Sequence, residues 1–295
     1  MNQFIIIILF ILSISNMFPQ NIYVLKSKIN SIFKPLDSDF AVAFMIIGDE
    51  KNEILIDERM FFHAASTMKT PVMIEVFKQA AENQFNLDDS IEIKNEFKSI
   101  VDGSPYSLDI NDDSGEELYS FIGKKKTIRE LVFDMITVSS NLATNILIEL
   151  VDARNITETI RSIGANDIQV LRGVEDDKAF QLGLNNIVTA YDLMLIYENL
   201  ANHEYVNEES SKEMINILLQ QKHNTRIPAK LPNDVKVAHK TGTITGVGHD
   251  SGIVFLPDGR KYVLVLLSKN VKDEKAVIEA QAEVSKIIYE FVAGN

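Results

Sequence analysis

The chain has 295 residues, 46% of them hydrophobic, no cysteine, and a formal net charge of −13. That length can bury a large core arranged as two lobes, and a fold without cysteine does not rely on disulfides. The acidic balance argues against nucleic acid, whose phosphates call for clustered Lys and Arg, and the five histidines show no metal-ligand spacing, so neither a metal nor another cofactor is expected.

Residues 4–12 form an apolar run followed by Ser13, Ile14, Ser15 and Asn16. It is too short to span a bilayer comfortably and reads as the core of a signal peptide over residues 1–18, which implies a periplasmic or secreted protein. The run lacks a preceding Lys or Arg, and a membrane anchor is the alternative reading. Residues 22–34 suit an amphipathic helix. Strands are expected at 39–48 and 53–57, joined through the turn-forming residues 48–52 as a hairpin.

Next come Ser66-Thr67-Met68-Lys69 and then Val72, Met73, Val76, Phe77, Ala80 and Ala81 at helical spacing. This puts Ser66 at or near the N-terminus of a buried helix, where free N–H groups favour a developing oxyanion. Lys69, three residues on, shares the helical face and can take the hydroxyl proton. A plain helix N-cap is the other reading of Ser66. Pro71 predicts a distorted first turn.

From 85 to 205 the pattern is mostly helical, with a Gly-, Pro-, Asn- and Asp-rich loop at 102–115. Lys124, Lys125 and Lys126 read as a solvated entrance to a helix. Within 127–151, Ile128, Leu131, Val132, Met135 and Ile136 form one apolar series and Ile146, Leu147 and Leu150 a second, with Ser139-Ser140-Asn141 between them. Gly164 and Gly173 bracket an irregular segment, and a helix follows at 189–200. Strand character returns at 235–240, 251–256 and 262–268, the last two joined by the turn Pro257-Asp258-Gly259. An amphipathic helix at 274–292 closes the chain.

The expected fold is α+β: an antiparallel sheet of about five strands flanked by N- and C-terminal helices, built from 19–75 and 210–295. An all-helical lobe at 76–209 is inserted, and the cleft between the lobes is the natural substrate site.

Two further clusters carry polar chemistry. Ser139 and Asn141 can project from a turn, or merely satisfy its backbone. Lys240-Thr241-Gly242-Thr243 ends a β-run, where glycine admits a ligand to the strand edge and Lys240 adds positive charge; a lysine-blunted edge strand is the alternative. In order, S-x-x-K, S-x-N and K-T-G resemble the set of the class A serine β-lactamase family, within the β-lactamase and penicillin-binding protein superfamily. The surroundings extend the likeness to residues 39–292, through Thr127 to Leu131, Leu142 to Asn145, and Leu171-Arg172-Gly173-Val174-Glu175 before an omega loop.

The resemblance implies Ser66 as acylated nucleophile, Lys69 as its base or proton shuttle, and Ser139 passing the proton to the leaving nitrogen beside Lys240. Backbone N–H groups of Ser66 and Thr243 would form the oxyanion hole. Asn141 and the strand edge at Gly242 and Thr243 would bind the substrate amide, and Thr241 and Thr243 would face its carboxylate. The neighbouring-strand position that often supplies the carboxylate's cation holds His249, which is expected among the substrate-binding residues together with Arg226, a match to the alternative source of that cation. A surface charge is the other reading of Arg226. Glu175 would activate the deacylating water, unless it is one of a solvated acidic trio with Asp176 and Asp177. Two departures stand out: Ala179 where an asparagine is usual, and Ser140 where an aspartate is usual. The implied activity is hydrolysis of a small-molecule β-lactam by a monomer free of nucleic acid and, once the signal is removed, of membrane. A D-alanyl-D-alanine peptidase or esterase, or a non-catalytic penicillin-binding module, is the alternative.

Overall fold

The structure, a computed structural model, describes residues 21–294; the expected signal peptide at 1–18 lies outside them. Five strands, β1 (Asp39–Ile46), β2 (Asp49–Ile56), β3 (Lys236–Ile244), β4 (Val247–Phe255) and β5 (Lys261–Lys269), form one sheet. Its order is β2-β1-β5-β4-β3 and every neighbouring pair is antiparallel.

Each face of this sheet is covered. On one side Phe40, Val42 and Phe44 of β1 pack with α1 (Ile22–Phe33) and α9 (Glu274–Gly294) through Leu25, Ile29, Ile288 and Phe291. The alternate residues Ala41, Ala43 and Met45 join the core of the helical half. Side chains alternate along a strand, so burial on both faces turns β1 into a continuous apolar run. Small residues on the second face let helices approach closely.

The β1–β2 hairpin turns at Ile47-Gly48, with Gly48 at φ 85°, and not across 48–52. β2 starts at Asp49 because an edge strand tolerates polar residues, and polarity there reads as a link. Likewise β3 and β4 run on to Ile244 and from Val247, joined at Gly246 (φ 74°). The polar residues His249 and Asp250 that hide the strand from a hydrophobic pattern are fully buried inside it.

The helical half comprises α2 (Lys69–Ala81), α3 (Ile128–Thr137), α4 (Asn141–Val151), α5 (Ala153–Ser162), α6 (Asp177–Gln181), α7 (Ala190–Ala201) and α8 (Glu208–Leu218). α2 is its axle: every residue from Lys69 to Phe77 is buried, and Met73, Val76 and Phe77 share a core with Leu131, Leu147, Ile156 and Leu193. The lysine run leads into α3 with Lys124 and Lys125 exposed, as expected, but it arrives through a strand. Lys125–Thr127 is a short strand paired with Ser90–Glu92, and Thr127 caps α3 in a reciprocal capping box with Glu130. α8, polar in its first turn and capped by Asn207, lies beyond the helical stretch expected at 85–205.

Thr127→Ala removes the box and is expected to cost about 1 kcal/mol of stability in urea unfolding without altering the site; an unchanged midpoint contradicts the capping role.

Candidate active site

Ser66 lies in a single 3₁₀ turn, Ala65–Met68, entered through Ala65 at φ 44°. The α-helix proper restarts at Lys69, which moves Pro71 into a first turn where no backbone donor is needed. The distortion expected from Pro71 is therefore this 3₁₀ turn. Ser66 caps neither segment, since Ala64 and Met68 hold the cap positions. Ala65, Thr67 and Met68 are buried while Ser66 is half-buried and opens onto a cavity of about 780 Å³.

Lys69 is fully buried below that opening. Its Nζ donates to the Ser139 carbonyl (2.7 Å), Ser139 Oγ (3.2 Å) and Asn141 Oδ1 (3.0 Å). From the sheet side, Lys240 Nζ donates to Ser139 Oγ (3.0 Å) and to the Thr241 carbonyl (3.0 Å). One hydroxyl thus sits between two buried amines. Burial, opposed by the charges of Asp113 and Glu175, brings Lys69 down to about 7. Burial and the charge of Lys69 push Lys240 well below the ordinary lysine value. As an ammonium Lys69 spends its three donors on these three acceptors; losing one proton leaves it a lone pair.

β3 is the outer strand of the sheet, so its unpaired edge faces the Ser66 turn. Gly242 makes this possible: a Cβ there would lie 3.1 Å from the Ser66 backbone nitrogen. Thr241 and Thr243 line the same cavity as Ser66, Ser139 and Asn141.

Glu175 closes the opposite wall. Its carboxylate accepts from Asn141 Nδ2 (2.9 Å) and the Asp109 backbone N–H (3.0 Å). Asn141 therefore links Lys69 to Glu175 through its two ends. Burial raises the Glu175 carboxyl, as do Asp113 and Asp112, against those two hydrogen bonds. Its acidic neighbours do not form a uniform solvated trio. Asp176 is buried, caps α6 and accepts from Ser99 Oγ (2.8 Å) and Ile100 N (2.9 Å), whereas Asp177 is exposed. Ala179 is buried in α6, donating its N–H to Asp176. Ala65, Ser139 (φ 63°) and Glu175 (φ 60°) all hold left-handed backbone, a strain that persists where packing over-determines it.

Arg226 is buried on the cavity wall and not a surface charge. Its Nε donates to Gln281 (2.8 Å), while Nη2 has no hydrogen-bond partner and stands 4.0 Å from Glu274. A Cβ on Gly248 would lie 2.9 Å from Nη2, so this glycine makes room for the guanidinium. His249 does not reach the cleft. Strand alternation turns it away from the face of Gly248 and Arg226, and Nε2 donates to the His63 carbonyl (2.9 Å), Nδ1 accepts from Ser268 N–H (3.2 Å), and the ring packs on Phe62. Burial lowers it to about 4, so it is a neutral structural strut, correcting its expected place at the substrate.

Several supports were not foreseen. Asn145 Oδ1 accepts from Val174 N–H (2.7 Å) and its amide donates to the Val174 carbonyl (3.0 Å), clamping the residue before Glu175. Gly173 permits it, because a Cβ there would strike the Asn145 amide at 2.4 Å. Behind Lys240, buried His239 joins Asp250 (2.8 Å) to Asn224 (3.0 Å), and Asp250 also accepts from Ile227 N–H (3.0 Å), which fixes the loop carrying Arg226. Ser140, where aspartate was expected, caps α4 by accepting from Ala143 N–H and faces the Asp113 carboxylate at 3.4 Å. Pairs so distant in sequence leave no local signal.

Residues 24–292 match the family described as the beta-lactamase enzyme family. The chain is similar to Beta-lactamase VEB-1 of Pseudomonas aeruginosa, 23% identical over 285 residues, 90% of each chain. Among solved structures it resembles the TLA-1 extended spectrum beta-lactamase, with TM-score 0.79 and 20% identity over 92% of this chain and 99% of that one. It also resembles PBP-A, with TM-score 0.78 and 22% identity over 92% and 97%.

With Lys69 as the base of an acylation at Ser66, covalent labelling of Ser66 by a fluorophosphonate should rise with pH through about 7. Lys69→Met should abolish that rise. A flat labelling rate between these limbs contradicts Lys69 as the base.

Proposed function

The chain belongs to the beta-lactamase enzyme family, and from that premise we propose a serine hydrolase of the class A type that opens β-lactams through an acyl-Ser66 intermediate. The observation that carries this reading is the Ser139 hydroxyl held by Lys69 (3.2 Å) and Lys240 (3.0 Å) on the cavity that Ser66 lines.

In the proposed reaction Ser66 Oγ attacks the lactam carbonyl as its proton passes to neutral Lys69. The oxyanion forms against the backbone N–H groups of Ser66 and Thr243; each such donor is worth about 3–4 kcal/mol of barrier. Ser139 then hands its hydroxyl proton to the lactam nitrogen as the C–N bond breaks and is reprotonated by Lys69, which carries the proton taken from Ser66, while Lys240 holds the charge of that relay. The substrate carboxylate meets Thr241 and Thr243, with the Arg226 side chain adding positive charge on the same cavity wall. Asn141 and the β3 edge take the side-chain amide. Glu175 draws a proton from water as the water oxygen adds to the acyl carbon; the ester C–O bond then breaks and that proton returns to Ser66 Oγ, releasing the ring-opened acid. Residues 1–18 act as the export signal that delivers this monomeric enzyme to the periplasm or the exterior.

A second reading, a D-alanyl-D-alanine peptidase or esterase with slow lactam turnover, draws on one observation. Ala179 is buried and offers no side-chain hydrogen bond to a water beside Glu175. A chromogenic cephalosporin separates the two: sustained turnover supports the hydrolase, and a single stoichiometric burst supports the peptidase or esterase.

Glu175→Ala should slow deacylation about 10²- to 10⁴-fold and let the acyl-enzyme accumulate by mass spectrometry, with acylation little changed. Undiminished turnover removes Glu175 from the mechanism. Arg226→Ala should lower kcat/KM about 10- to 100-fold for a substrate bearing the carboxylate, the worth of a hydrogen bond to a charged group, and much less for one lacking it; equal losses on the two contradict its role.

A further inference from the structure

We propose that Asp113 is a positioning residue of this site, whose carboxylate, delivered from the 102–115 loop, holds the turn from Ser139 to Leu142 against Lys69 and Glu175. This rests on the acyl-Ser66 reading for its kinetic consequences, and on geometry alone for the placement.

The side chain is 6% exposed and gathers five donors. Oδ1 accepts from the backbone N–H groups of Gly115 (2.8 Å) and Asn141 (2.9 Å). Oδ2 accepts from Leu142 N–H (2.8 Å), Tyr119 OH (3.2 Å) and Ser140 Oγ (3.4 Å). Two of these are orphan donors at the start of α4, whose positive end further favours an anion there. Among the described residues no Lys or Arg pairs with this carboxylate. Its charge is therefore balanced by donors that belong to the site's own scaffold.

What it holds is the strained part of the site. Ser139 sits at φ 63° and presents both its carbonyl and its hydroxyl to Lys69. Two residues on, Asn141 spans Lys69 and Glu175. Fixing the N–H groups of Asn141 and Leu142 fixes the origin of that bridge. The contact is direct: a Cβ on Gly115 would fall 2.4 Å from Ser140 Cβ, so the loop and the turn are packed backbone to backbone. The charged and titratable groups around it are Lys69 on α2, Glu175 on the omega segment, Asp109 and Asp112 on its own loop and Tyr119 beside it. The Asp113 charge raises both Lys69 and Glu175, and Asp112 adds to the rise of Glu175. Neutralising Asp113 therefore moves both titrations to lower pH.

The experiment compares wild type, Asp113→Asn and the exchanged double variant Asp113→Ser with Ser140→Asp, which returns a carboxylate from the facing side chain. Acylation by a fluorescent penicillin is followed against pH, and the Lys69 amine is titrated by carbon-13 NMR on lysine-labelled protein without substrate. Asp113→Asn should lower acylation about 10- to 100-fold, shift its acid limb and the Lys69 midpoint to lower pH, and lose the exchange protection of the Asn141 and Leu142 amides. The exchanged variant should recover rate, limb and protection. A rate that falls with limb and midpoint unmoved reduces Asp113 to a structural residue and overturns the proposal, as does an exchanged variant that folds with the wild-type melting temperature yet recovers nothing. If wild type forms no penicillin adduct, the acyl-Ser66 reading fails; the NMR midpoint and amide protection still decide the place of Asp113.

Discussion

One hydroxyl flanked by two buried amines organises this molecule. Ser139 Oγ lies 3.2 Å from Lys69 Nζ and 3.0 Å from Lys240 Nζ, and neither lysine is exposed. Two ammonium groups taken from water into one small volume repel each other and forgo hydration, so such a pair sheds a proton far more readily than exposed lysines. In the proposed mechanism that instability is the chemical resource: it supplies an amine base beside a hydroxyl that relays a proton. It also sets a structural demand. The pair is stable only if other acceptors meet the remaining donors, as Ser139 O and Asn141 Oδ1 do for Lys69 and Thr241 O does for Lys240.

The fold meets this demand by converging three unrelated elements. Lys69 enters on the buried axle α2, Ser139 and Asn141 on the strained turn before α4, and Lys240 on the outer strand β3. Both faces of the sheet are packed, so β3 cannot drift from the Ser66 turn without uncovering core, and Gly242 lets the two backbones meet. Left-handed backbone at Ala65, Ser139 and Glu175 marks where the chain is bent against its local preference to bring these groups together.

Much of this was legible in the residues. Apolar periodicity identified α1, α2, α3, α7 and α9, because each buries one continuous face. The five-stranded sheet followed from apolar runs at both ends of the chain. Ser66, Lys69, Ser139, Asn141 and Lys240, each weak alone, gained meaning from their order. What escaped was long-range or polar. The start of β4 is masked by His249 and Asp250, polar side chains satisfied by partners far off in sequence. His249 was placed at the substrate because sequence position does not tell which way a strand faces, and one residue of register reverses it. Asp113 sits in a stretch whose composition says only loop, and its partners at 141 and 142 are visible only in three dimensions. Arg226 could be weighed only against a surface charge until Gly248 and Gln281 were seen to bury it.

The most direct measurement of the central claim is acid-quenched peptide mapping of the wild-type chain milliseconds after mixing with a penicillin. The account predicts one acyl group, borne by the peptide containing Ser66 and on that side chain alone. A chain that carries no acyl group, or carries it on Ser139 or another residue, contradicts it.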